Sequence, residues 1–255
     1  MIEVDQVGKM HQGEWVLRDV SLLVAEETYL GLIGPGGAGK SLLLKIIAAL
    51  VEPDEGRVLI DGVDIHALPE TERDRLRMRI GMLFQNYALF DSMTVAENIA
   101  FPLHQEGGIT ASEIDERVGE LLDEIGLPHA ADKLPKELSG GMKKRVSFAR
   151  AIVRQPPLLL YDDPTAGLNP VTSSKIFRLL VRLKENFGTT AVTVSHDLDG
   201  IRQVSERVAM LDHGELIFEG TVDEIDAAPI ERVQNYWQSY DAEVQTRASE
   251  GADSP

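Results

Sequence analysis

Eight residues constrain this chain more than any others: Gly34 to Ser41 read GPGGAGKS. They follow the apolar run Tyr29–Ile33 and precede a second apolar run, Leu42–Ile47. Strand, glycine-rich loop and helix in that order, with the spacing G-x-x-x-x-G-K-S, describe a phosphate-binding loop. Gly36, Gly37 and Gly39 let the backbone curl so that successive N–H groups face phosphate oxygens. The helix beginning near Lys40 adds its positive end. Lys40 is expected to reach the β- and γ-phosphates, and the Ser41 hydroxyl to ligate Mg²⁺. Gly34, Pro35, Gly36, Gly37, Ala38, Gly39, Lys40, Ser41 and Leu42 thus form the expected cradle for a nucleoside triphosphate.

A chain of 255 residues suffices for one large domain, or a core with a substantial subdomain. No apolar stretch approaches the roughly 18 residues needed to span a bilayer. The start, MIEVDQVGKM, has neither the basic end nor the apolar centre of a secretory signal. Cysteine is absent from the sequence, which removes disulfides and thiolate metal sites. A cytosolic location fits these features. The net charge of −17 argues against broad nucleic-acid binding, which needs Lys and Arg to neutralise phosphates. Two basic clusters, Arg73-x-Arg75-x-Arg77-x-Arg79 and Lys143-Lys144-Arg145, are expected to be solvated helix faces with a few ion pairs.

Strands are expected at Arg57–Asp61, Ile80–Phe84, Leu158–Asp162, Thr190–Ser195, Val208–Leu211 and Glu215–Glu219. Helical periodicity marks Leu42–Leu50, Ile114–Ile125, Arg145–Arg154, Ser174–Asn186 and Leu198–Val204. Alternating strands and helices imply a mostly parallel sheet covered by helices. Asn86 to Gln155 breaks the alternation and reads as an inserted helical subdomain. Asp241 to Pro255 is small, polar and acidic, the composition of a disordered tail.

A second constellation lies downstream. Leu138-Ser-Gly-Gly-Met142 precedes a helix, and Ser139 suits its N-cap. Then Pro156-Pro-Leu-Leu-Leu-Tyr-Asp-Asp163 is an apolar strand ending in acids, where a nucleotide-bound Mg²⁺ needs a carboxylate. After the turn Pro164–Pro170 and another helix, Thr190–His196 ends a strand with a histidine. The ordered set GPGGAGKS, LFQ, LSGGM, LLLYDD, GLNP, VSH resembles the nucleotide-binding subunit of ATP-binding-cassette (ABC) transporters, from about Ile2 to Glu224.

The resemblance implies an α/β fold. Its core would be of the P-loop NTPase (RecA-like) type, carrying the antiparallel β elements of ABC proteins and an inserted α-helical subdomain. Residues 1–85 and 156–225 would form the core, 86–155 the helical subdomain with the signature motif, and 226–255 a C-terminal extension. It implies ATP hydrolysis with Mg²⁺. Gln85 would sense the metal, Asp162 would hold it, Asp163 would polarise the attacking water, and His196 would contact the γ-phosphate. Ser139, Gly140 and Gly141 would bind ATP held by a second copy of the chain, in a head-to-tail dimer enclosing two nucleotides. The subunit would lie on the cytoplasmic face of the inner membrane, bound to a membrane permease.

Finer matches resemble the ATPase of the Mla (maintenance of lipid asymmetry) systems, which work with an MCE (mammalian cell entry) lipid-binding protein. They are Leu83–Val95, Glu97-Asn98, Ala100–Leu103, Met142 and Pro229–Trp237. Phospholipid transport between bacterial membranes is therefore expected. An importer of a polar solute such as an amino acid is the rival, with a weakly active regulatory ABC ATPase behind it. ABC ATPases of translation or repair fit poorly, since there is one phosphate loop and no cysteine. Four positions depart from the pattern. Asp163 stands where most relatives have Glu, Asn169 where they have Asp, and Glu26 at an expected turn glycine. The adenine-stacking aromatic is unclear: His11 is nearest by spacing, with Trp15 the other candidate.

Overall fold

Three strands are buried at every position: β3 (Tyr29–Ile33), β7 (Leu158–Asp162) and β8 (Thr190–Val194). Continuous apolar runs of this length are what a central parallel sheet, covered on both faces, requires. The computed structural model describes residues 1–83 and 87–238. With β6 (Ile80–Leu83), β9 (Arg207–Asp212) and β10 (Glu215–Thr221), the three strands form a six-stranded sheet ordered β10-β9-β3-β8-β7-β6. It is parallel except for the β9–β10 hairpin.

A second sheet is wholly antiparallel: β1 (Ile2–His11), β2 (Glu14–Val24), β4 (Glu55–Ile60) and β5 (Val63–Asp64), in the order β2-β1-β4-β5. Its inner positions, among them Val4, Val7, Leu17 and Val20, share one core with Leu43, Leu44, Ile46 and Ile47 of α1 (Lys40–Ile47). The helix behind the loop is thus clamped between two sheets. It ends earlier than the expected Leu50, because Ala49 takes a left-handed φ of 55°.

α2 (Glu70–Arg77) precedes β6, and three helices follow it: α3 (Val95–Glu106), α4 (Ala111–Glu124) and α5 (Gly140–Ile152). Capping boxes start α3 and α4, pairing Thr94 with Glu97 and Thr110 with Glu113. Buried Asn98 donates to the carbonyls of Phe90, Met93 and Thr94, tying the approach of α3 to the helix itself. One core joins these helices to Leu159 and Tyr161 of β7 and to Ile176 and Leu180 of α6 (Pro170–Phe187). The chain continues through α7 (Leu198–Val204) and α8 (Val222–Asp226) to helical residues 231–238. The last of these deliver Trp237, fully buried, to a third core.

The two basic clusters behave differently. On α2 the expected ion pairs form, Arg73 with Glu52 at 2.9 Å and Arg77 with Glu70 and Asp74 at 2.8 Å each, but both guanidiniums are partly buried and also donate to the carbonyls of His66, Leu68 and Ala49. On α5 the expectation fails, because Lys144 is 3% exposed. It lies one and two turns before Phe148 and Ile152, on the buried face of the helix. The expected disorder of Asp241–Pro255 concerns residues outside those described.

Candidate functional site

The loop between β3 and α1 is shaped by two glycines that admit no side chain. At Gly34 (φ 137°) a Cβ would lie 2.0 Å from the carbonyl oxygen of Leu211. At Gly39 (φ 95°) it would meet Leu17 at 2.6 Å. Gly36 and Gly37 differ, since a Cβ there meets no atom within 4 Å and would project into open space. Their bare backbone therefore leaves room for a ligand rather than for protein. Gly39 provides α1 with no side-chain cap, so the first-turn N–H groups stay open to an anion.

Lys40, 6% exposed, turns back on this loop. Its Nζ donates to the carbonyls of Gly34 at 2.7 Å and Pro35 at 2.8 Å. Burial lowers its pKa, while the charges of Asp162 and Asp163 oppose the shift. The Ser41 Oγ donates to Asp162 Oδ1 at 2.8 Å. A hydroxyl and a buried carboxylate side by side are hard oxygen ligands, and they suit a Mg²⁺ that takes its remaining ligands from phosphates and water. Among the described residues there is no larger cluster of metal-ligating side chains.

The β7 and β8 ends converge on the same place. Asp163 adopts a left-handed φ of 55°, which Asp tolerates better than most residues. Its N–H donates to the Val194 carbonyl at 2.9 Å, locking one strand end to the other. A cleft of about 400 Å³ results, lined by Gly36 to Leu42, Asp162, Asp163, Val194, His196 and Val16. Gly34 and Pro35 stand behind it, their carbonyls given to Lys40. Burial raises the Asp163 pKa; Lys144 and His196 pull it down, and Asp162 and Asp197 push it up. A carboxyl with a raised pKa beside a phosphate loop can accept a proton from water.

Sequence reasoning overlooked Lys144. Its Nζ donates to the Ala166 carbonyl at 2.8 Å, just past Asp163. Burial lowers its pKa, and Asp163 and Asp162 act against that. The signal was its helical register with Phe148 and Ile152, hidden by the neighbouring charges of Lys143 and Arg145. Tyr236 was overlooked too: its hydroxyl donates to the Gly34 carbonyl at 2.9 Å.

Other expected residues lie elsewhere. Ser139 caps its own helix, accepting from the Met142 N–H at 3.3 Å, and neither it nor Gly140 nor Gly141 lines the loop cleft. His11 closes the β1–β2 hairpin, exposed, and does not line the cleft either. Trp15 packs over Gly8, and strand alternation turns the next residue, Val16, toward the loop. Asn169 caps α6 through the Thr172 N–H at 2.9 Å. At the 26–27 turn the left-handed residue is Glu27 (φ 57°), so Glu26 needs no glycine. Gln85 lies outside the described residues.

The pattern of the family described as ABC transporter matches residues 17–166, loop and signature included. The chain belongs to the ABC transporter family. This ABC protein is 40% identical over 233 residues to the methionine import ATP-binding protein MetN 1 of Pseudomonas putida, covering 90% of its own length and 70% of the relative's. MetN of Caulobacter vibrioides is 42% identical over 231 residues, 90% and 69% of the two chains. Among solved structures, the dimeric ATP-binding cassette MJ0796, in a post-hydrolysis state with ADP and Pi, is 36% identical with a TM-score of 0.82, covering 87% of this chain and 99% of that one. The fold is that of ABC cassettes, with mixed parallel and antiparallel sheets. The protein is an ABC-type ATPase that binds ATP.

These relatives overturn the expectation of lipid transport, and with it the MCE-type lipid-binding partner, since proteins 40–42% identical over 90% of the chain are methionine import subunits. Two of the residues behind that expectation serve packing. Met142 lies against the α3–α5 core and Trp237 is buried under β3, so neither reports on a cargo.

Proposed function

We propose that the chain is the ATP-hydrolysing subunit of an amino-acid-type ABC importer. The convergence of loop, Asp162, Asp163 and His196 on one cleft supports the hydrolytic part. The methionine import relatives support the cargo class. Gly36–Leu42 cradle the phosphates, Lys40 meets the β- and γ-phosphates, and Ser41 with Asp162 and Gln85 would hold Mg²⁺. When bound, the metal neutralises developing charge on the phosphates. Asp163 orients and deprotonates the attacking water, and His196 stabilises charge on the transferring phosphoryl. Ser139, Gly140 and Gly141 serve the ATP of a second copy. This fits the exposure of Ser139 and Gly140 and a dimeric cassette among similar structures. Residues 1–85 and 156–225 act as the nucleotide-binding core, 86–155 as the helical subdomain, and 226–255 as an extension. A permease places the assembly at the cytoplasmic face of a membrane; no described helix is long and apolar enough to cross one.

The test joins the chain to its membrane partner in proteoliposomes, with ATP inside the accessible compartment and labelled methionine as cargo. Asp163→Asn is expected to keep ATP binding and lower phosphate release by about 100-fold, the scale of a lost general base. Transport of labelled methionine should stop with it. Unchanged hydrolysis removes Asp163 from the mechanism, and ATP-dependent transport that ignores amino acids removes the cargo class. A large gain in Asp163→Glu would favour the weakly active, regulatory reading instead.

A further inference from the structure

The C-terminal segment reaches the phosphate loop across 202 positions of sequence. Trp237 fixes it there: fully buried, it donates from Nε1 to Asp226 Oδ1 at 2.6 Å, with the Arg202 guanidinium 4.4 Å from its ring centre. Its core contains Ile33, the residue before Gly34, and Leu198 and Ile201 of α7, the helix that follows His196. The segment therefore rests on the two elements that carry the loop and the histidine. One residue earlier, Tyr236 donates to the Gly34 carbonyl at 2.9 Å, the same oxygen that accepts from Lys40 Nζ at 2.7 Å.

One carbonyl holding two donors uses both its lone pairs. Gly34 is buried, so water is a poor substitute for either donor. Lys40 has three donors and spends two on the carbonyls of Gly34 and Pro35, so meeting oxygens of both the β- and the γ-phosphate takes it off at least one of them. Where it leaves Gly34, the oxygen needs another donor, because a buried acceptor left unpaired is costly. We infer that Tyr236 is a positioning residue for nucleotide binding: its hydroxyl keeps the Gly34 carbonyl paired, so that Lys40 is released to the phosphates. This rests on the reading of Lys40 as the phosphate ligand. Burial and the nearby Asp163 charge raise the Tyr236 pKa, which keeps the phenol protonated as a donor.

Tyr236→Phe retains the ring and deletes only the hydroxyl. ATP and AMP are each titrated against a bound fluorescent nucleotide, in the parent, Tyr236→Phe, Lys40→Ala and the double variant. ATP affinity should fall about 3- to 10-fold in Tyr236→Phe, the range of one hydrogen bond. AMP affinity should not change, because AMP has no β- or γ-phosphate to draw Lys40 from the carbonyl. In the Lys40→Ala background, Tyr236→Phe should cost nothing further, since the carbonyl then keeps the same partners before and after binding. Equal losses for ATP and AMP would mean that Tyr236 only supports packing, and overturn the inference. So would an unchanged ATP affinity, or additive losses in the double variant. If Lys40→Ala itself binds ATP normally, the reading of Lys40 falls first and this inference with it; if Lys40→Ala is impaired and Tyr236→Phe is not, only Tyr236 is wrongly assigned.

Discussion

Twice in this chain a pair or run of glycines leads into a helix, and the two sites are finished in opposite ways. Before α1, Gly34 and Gly39 take left-handed backbone that admits no Cβ, and no side chain caps the helix. Before α5, neither Gly140 nor Gly141 has a positive φ, and Ser139 supplies the cap. The first site makes an anion cradle from backbone shape and open N–H groups. The second is an ordinary helix start whose glycines admit the close approach of Tyr87 and Leu168, 3.1 Å from where each Cβ would stand. Each has a buried lysine nearby, again used differently: Lys40 on the loop carbonyls, Lys144 on Ala166 beside Asp163. The loop is complete within one chain, whereas on the proposed function the α5 start becomes a site only against a second copy.

Three changes probe that contrast, and the largest effect belongs to the incomplete half. Ser139→Arg should lower turnover by about 100-fold or more, the scale of a lost donor to a developing charge. It should also abolish ATP-dependent dimerisation in light scattering, with each monomer binding ATP as before. A variant that dimerises normally would erase the distinction between the halves.

Lys144→Met asks whether the second lysine serves the first half's chemistry. Turnover should drop by about tenfold, below the roughly 100-fold scale of a lost general base, because Asp163 itself remains. The Lys144 charge lowers the Asp163 pKa, so its loss lets that pKa rise further. Asp163 works as a base only when ionised, and the acid limb of the pH–rate profile should therefore move to higher pH. A tenfold loss with an unmoved limb would assign Lys144 to packing alone.

The smallest effect concerns stability. Burial raises the pKa of Asp163, so the folded chain holds that proton more tightly than the unfolded chain does. Stability then falls as pH climbs from the unfolded-state pKa to the folded-state one, and ionised Asp163 is a standing cost at neutral pH. Asp163→Asn should raise Tm by about 1–3 °C at pH 7. The gain should shrink as pH drops through the carboxylate range. A lowered Tm would mean that the Lys144 and His196 charges outweigh desolvation at this site.

Much of the parallel sheet is legible along the chain because its signals are local. Leu158–Asp162 and Leu198–Val204 have the same bounds in sequence and structure, since an apolar run or helical period is contained in the segment that forms it. The β1–β2 hairpin escaped notice for the opposite reason. In β2, exposed and buried residues alternate with interruptions, and its pairing with β1 is broken by register shifts, so no clean period of two survives. The start of α5 at Gly140 was legible through Ser139 as its cap, although the apolar period begins only at Val146.

The sequence by itself determined the phosphate loop, the acids at the end of β7 and the histidine after β8, because each is a short contiguous pattern whose chemistry depends on spacing alone. It misjudged the cargo, which the methionine import relatives overturn; Met142 and Trp237, two of the residues it leaned on, pack against cores. Tertiary structure alone decided that Val16 rather than His11 faces the loop, that Lys144 turns inward to Asp163, and that Tyr236 shares a carbonyl with Lys40. Each of these depends on which way a side chain points once distant elements pack, and that direction is set by the cores, which bring residues more than 200 positions apart within one hydrogen bond.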